Sequence, residues 1–162
     1  MKTLTVRLPE PLVADIEEES RGRKISKSDV VRERLAGFLV ALLSIRDAHH
    51  HWAASQAGGL RPPWSTCEAA FSGAYHLLEP RGGPSLSALL RRVALIVAFA
   101  LGENIGPVTK LIEKYSDVPM SLADACLVRM TETFADPIML TTDKDFRVYR
   151  RHSRHVVPCV IP

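Results

Sequence analysis

The sequence predicts an α/β fold in which a parallel sheet is flanked by helices, preceded by a small separate N-terminal segment. Three observations predict it. Apolar, β-prone runs at 93–99, 138–141 and 156–161 alternate with stretches of helical period, the arrangement that builds parallel sheets. The acids Glu68, Asp124 and Asp143 each stand where a helical stretch opens. Met1 to Leu8 alternates apolar with polar residues, as a half-buried strand does, and two helical stretches separate it from the rest.

In chain order, Met1 to Leu8 places Leu4, Val6 and Leu8 on one face and Thr3, Thr5 and Arg7 on the other. Pro9 stops strand pairing and Pro11 suits the first turn of a helix through Leu12, Val13 and Ile16 to about Ser20. Arg21-Gly22-Arg23-Lys24 reads as a turn, and Ser26 caps a second helix from Lys27 or Ser28, with Asp29 in its first turn. The helical period continues through Val31, Leu35, Phe38, Leu39 and Leu42. A lone strand of this length is not stable in water, and residues 1–36 are too few to fold alone, so a homodimer is expected.

Further on, Leu60 to Pro63 is a loop, followed by a helix from about Thr66 to Glu79. Pro80 to Pro84 is a second loop and Ser85 to Arg92 a helix. Val93 to Phe99 reads as a buried strand, although its length also suits a helix. Gly106 and Pro107 precede a helix to Ser116, and Ser121 to Thr133 forms another. Ile138 to Thr141 and Val156 to Ile161 close the sheet. Ser65 with Glu68, Ser121 with Asp124 and Thr142 with Asp145 have the spacing of capping boxes. The same acids also suit a carboxylate cluster, since Asp143 follows a buried strand at the edge where open α/β sheets bind ligands.

The formal net charge of +3 is small, but the basic excess is concentrated. Lys144, Arg147, Arg150, Arg151 and Arg154 crowd the stretch after Asp143, against Asp145 alone. Cations beside carboxylates are what a phosphodiester substrate requires, because they offset its repulsion from the acids. Phe146 and Tyr149 either stack on bases or pack a short helix onto the sheet. Cys67, Cys126 and Cys159 are odd in number and widely spaced, which suggests reduced thiols in a cytoplasmic protein. The run His49-His50-His51 lacks the i,i+4 pairing of a zinc-binding helix and reads as a solvated helix start. The apolar runs are too short to cross a bilayer, and the acidic, proline-bearing N-terminus is no signal peptide.

From Pro63 onward the chain resembles the PIN-domain ribonucleases, especially the VapC-type toxins of toxin–antitoxin pairs. The likeness lies in Thr66-Cys67-Glu68-Ala69, in Lys114 to Ala125 around Pro119-Met120-Ser121-Leu122-Ala123-Asp124, and in Leu140-Thr141-Thr142-Asp143-Lys144-Asp145-Phe146-Arg147-Val148-Tyr149-Arg150. Gly37 to Ala53 also looks like the family's first helices, which extends the resemblance over residues 37–162, about three quarters of the chain. It implies a PIN-like parallel sheet and an endoribonuclease in which Glu68, Asp124 and Asp143, with Asp145 as a secondary ligand, hold Mg²⁺ or Mn²⁺. Arg147 and Arg150 would lie against the RNA. The family's first strand and its terminal Asp have no counterpart. Leu35 stands two residues before Gly37, and Glu33 and Asp47 are the nearby acids.

Residues 1–36 resemble a second family, the ribbon-helix-helix DNA-binding antitoxins. That likeness implies a two-stranded ribbon formed with a second chain, with Thr3, Thr5 and Arg7 facing the bases of an operator and Ser26 beside a phosphate. Met1 to Leu8 would otherwise be an edge strand with a solvated face, or fill the place of the missing sheet strand. The rival to a nuclease is therefore a dimeric DNA-binding regulator with a catalytically inactive PIN-like half.

Overall fold

In the computed structural model the described residues are 21, 37–78, 82–118 and 120–162, and they form a mixed α/β fold. Residues 37–43 are helical (α1), and α2 is His50–Gly59. Next come β1 (Trp64–Cys67), α3 (Glu68–Leu78), α4 (Gly83–Arg91), β2 (Leu95–Phe99), α5 (Leu101–Lys114) and α6 (Leu122–Thr133). The C-terminal part holds β3 (Met139–Leu140), a 3₁₀ turn (Lys144–Arg147), β4 (Arg150–Arg151), β5 (His155–Val156) and β6 (Cys159–Val160).

Three of the expected boundaries move, for local reasons. Thr66 lies in β1 rather than in a helix, since Trp64, Thr66 and Cys67 fit a pleated, half-buried surface. Helix α3 opens at Glu68, and the Cys67 Sγ accepts the Ala70 N–H at 3.4 Å where Ser65 was expected to cap. Gly106 and Pro107 lie inside α5 instead of before it. Both face solvent, while Val108 and Leu111 on the other face are buried, so the amide lost at Pro107 costs one exposed helical bond and no packing. The C-terminal run 156–161 divides into β5 and β6, because Pro158 has no N–H to extend the ladder, and its carbonyl takes the Met139 N–H at 2.9 Å.

The expected parallel pairing is present, but among the described residues it forms two separate pairs. β1 pairs with β2, with Trp64 opposite Leu95 and Thr66 opposite Val97. β3 pairs with β6, with Met139 opposite Cys159 and Leu140 opposite Val160. β4 and β5 form a small antiparallel pair. Helices pack on both faces of this divided sheet. Met139 joins the core built on α5, α6, Phe146 and Tyr149. Leu140 packs into the core of Phe38, Leu39, Ala53, Leu86 and Leu95. Successive strand residues point to opposite faces, so α1 and α6 cover opposite sides of β3.

Gly37, at the start of the described part of α1, touches the turn after β3. A Cβ there would overlap Thr142 Oγ1 and lie 3.1 Å from Thr142 Cβ. Gly37→Ala is therefore predicted to cost about 1–3 kcal/mol by overpacking. Urea denaturation should show part of that loss restored in Gly37→Ala/Thr142→Ala, and equal losses in the single and double variants would refute the contact.

Candidate functional site

Asp124 is the best-buried acid among the described residues, 3% exposed at the third position of α6. The sequence Ser121-Leu122-Ala123-Asp124 places it there through the expected capping box. The Ser121 Oγ accepts the Asp124 N–H at 3.0 Å, and the Ser121 N–H and Oγ–H both donate to Asp124 Oδ2, at 2.9 and 2.7 Å. All of these bonds involve one carboxylate oxygen. The other, Oδ1, is buried with no hydrogen-bond partner. The Asp124 carboxyl is pushed up to about 7, first by burial and then by the charges of Asp143 and Asp145, against the downward pull of its bonds to Ser121.

Asp143 and Asp145 come from the turn that follows β3. The Thr141 Oγ1 accepts the Asp143 N–H at 3.0 Å, and Asp143 Oδ1 accepts the Asp145 N–H at 2.9 Å. Asp143 therefore caps the 3₁₀ turn in the place expected of Thr142. Its neighbour Asp145 and Asp143 itself also raise the Tyr149 hydroxyl, chiefly raised by burial. Asp124, Asp143 and Asp145 thus share one electrostatic neighbourhood. Glu68 is exposed at the start of α3, and its charge acts on Cys67 and Cys126. Among the described residues no three His, Cys, Asp or Glu side chains converge with metal-ligand spacing.

The structure separates the remaining candidates. Arg147 is exposed. The Arg150 Nη1 donates to the carbonyls of Arg147, Val148 and Tyr149, at 2.7, 2.7 and 2.9 Å, so this guanidinium closes the end of the 3₁₀ turn. Phe146 and Tyr149 are 1% and 0% exposed, and their rings meet edge to face at 5.3 Å, so both are core residues and neither is open to a base. Asp47 turns inward on its own loop, accepting the His49 N–H at 2.8 Å. Thr3, Thr5, Arg7, Ser26 and Glu33 lie outside the described residues.

Two features had no local signal in the sequence. Cys67 and Cys126, 59 positions apart, are buried together, and the Cys126 S–H donates to Cys67, which lowers Cys67 and raises Cys126. A cavity of about 310 Å³ runs between the two strand pairs. Trp64, Ser65 and Thr66 line one side, Met139, Leu140 and Thr141 the other, and Asp124 is part of its wall. No helix among the described residues is long and apolar enough to cross a membrane. No protein-family model, curated protein or solved structure matches this chain.

The buried acid sets a pH dependence. Below pH 3.8, the ordinary value, folded and unfolded chains both hold the proton and the contribution of Asp124 is complete. Between 3.8 and about 7 the unfolded chain ionises first, so stability falls as pH rises, by on the order of 4 kcal/mol in all. Asp124→Asn keeps an oxygen for Ser121 and has no proton to lose. In metal-free buffer, urea unfolding from pH 4 to 8 should show the stability difference between this variant and the parent moving in the variant's favour by more than 1 kcal/mol. A pH-independent difference would overturn the assignment.

Proposed function

We propose that the chain is a PIN-like endoribonuclease that cleaves RNA phosphodiester bonds with Mg²⁺ or Mn²⁺ held at Asp124 and Asp143. The observation that carries this reading is Asp124 Oδ1, buried without a partner beside two further carboxylates. Such an oxygen suits a hard cation, and Mg²⁺ commonly takes one or two carboxylates and leaves its other positions to water and substrate phosphate. A pair of protein ligands is therefore enough to hold such a cation.

A bound divalent cation would supply charge neutralisation at the phosphate and acidification of a water molecule. The chain's own groups do the positioning. Ser121 fixes Asp124 Oδ2 and so directs Oδ1, and the Asp145 N–H fixes Asp143 Oδ1. Asp145 would contribute charge as a secondary ligand. Glu68, exposed at the helix start above Cys67, would reach the substrate side of the site. Arg147 would offset the charge of the RNA backbone. The resemblance of residues 114–125 and 140–150 to PIN-domain toxins supports the same reading.

Purified protein should cleave RNA in Mg²⁺ or Mn²⁺ and stop in EDTA. Asp124→Asn and Asp143→Asn should each lower the rate at least about 100-fold, and Glu68→Gln by about 10-fold or less, since Glu68 is exposed at the start of α3. Cleavage that survives Asp124→Asn, or that proceeds equally in EDTA, would overturn the assignment.

A further inference from the structure

All three cysteines of the chain lie among the described residues, and two of them meet. Cys67 ends β1, and Cys126 begins the second turn of α6. They are 0% and 1% exposed within a single core, which they share with Ala70, Phe99 and Val128. The Cys126 S–H donates to the Cys67 sulfur, which also accepts the Ala70 N–H at 3.4 Å. A buried free thiol ordinarily behaves as a small apolar side chain. Two in contact, brought together from 59 positions apart, can also become one bond. The cavity approaches both of them. Thr66 and Ala70, on either side of Cys67 in the chain, line its wall, as do Asp124 and Leu127, on either side of Cys126. Cys159 stands elsewhere, on β6, and is more exposed than either.

We propose that Cys67 and Cys126 form a modification site, which hydrogen peroxide oxidises to a disulfide tying β1 to α6 and which a small dithiol reduces again. One thiol displaces hydroxide from peroxide and becomes a sulfenic acid, its own proton joining the hydroxide as water. The other thiol then attacks that sulfur and forms the S–S bond, while its proton leaves with the sulfenic hydroxyl as a second water. Two thiols thus lose two electrons, and one peroxide gains them. Sulfurs already in hydrogen-bond contact need only a short movement of two side chains to bond, so β1 and α6 can stay where they are. The bridge closes a loop of 59 residues that the unfolded chain would otherwise leave free, which favours the folded state of the oxidised chain. It also fixes the opening turns of α6, which carry Asp124, against the strand that leads into Glu68. The inference stands on the contact between the thiols and does not depend on the nuclease reading.

Oxidation of the folded full chain with hydrogen peroxide, followed by alkylation with iodoacetamide, proteolysis and mass spectrometry, tests it. Peptides carrying Cys67 and Cys126 should be recovered joined, with a combined mass lower by two hydrogens, and dithiothreitol should separate them. The Cys67–Cys126 link should exceed any link to Cys159 at least about 10-fold, because the fold holds only the first pair in contact. Cys159→Ala should leave the link unchanged. In urea, the oxidised chain should unfold at a higher midpoint than the reduced chain, and Cys126→Ser should abolish that difference. The proposal is overturned if both thiols still alkylate after peroxide treatment of the folded chain, or if the link forms only when the chain is oxidised in urea. A covalent dimer as the main product, links to Cys159 in comparable amount, or an oxidised midpoint no higher than the reduced one would overturn it as well.

Discussion

The burial of one carboxylate, that of Asp124, is the constraint around which the C-terminal edge of this protein is arranged. A helix start needs its orphan N–H groups satisfied, and Ser121 with Asp124 does this by a reciprocal cap. The cap occupies a single oxygen. Since α6 lies beneath the strands, the second oxygen is carried into the interior, next to Asp143 and Asp145, where burial disfavours the charge and raises the carboxyl toward neutral pH. A residue that only capped a helix would do as well at the surface. Placing it in the wall of a cavity is a cost in stability, since burial penalises its charged form.

Much of this was legible in the sequence where the signal is local. The Ser121/Asp124 spacing gave the cap and the helix together, and the basic run after Asp143 marked the charged edge. What failed to show depended on neighbours distant in sequence. Ser65 and Glu68 have capping-box spacing too, yet pairing of Trp64 to Thr66 with β2 claims Ser65 for a strand, and Cys67 caps instead. Tyr149 is amphipathic and sits in a basic stretch, which suits a base-stacking surface. Its burial beside Tyr115, with rings 5.2 Å apart, comes from the docking of α5, which no short window records.

The two cores show why the division of the sheet does not leave two unconnected halves. Helix α6 contributes Ala123, Ala125, Cys126 and Val128 to a core that also includes Cys67 and Phe99 from the first strand pair and Met139 from the second. On the other face, Trp64 and Leu140 approach one core from opposite banks of the cavity. The shared cores therefore connect the two pairs, and Asp124 stands in the wall of the cavity between them.

This arrangement has a consequence for the order in which the molecule assembles. Pairing Trp64 with Leu95 closes a loop of about 30 residues, and pairing Met139 with Cys159 one of about 20. Setting β1 against β3 spans about 75. By chain statistics each doubling of loop length adds only about 0.6 kcal/mol, so the difference in equilibrium cost is slight, whereas local pairs gain most in speed. Each half can thus close on itself before the two meet, and the three aspartates, drawn from α6 and the turn after β3, come together once that helix docks on the second pair.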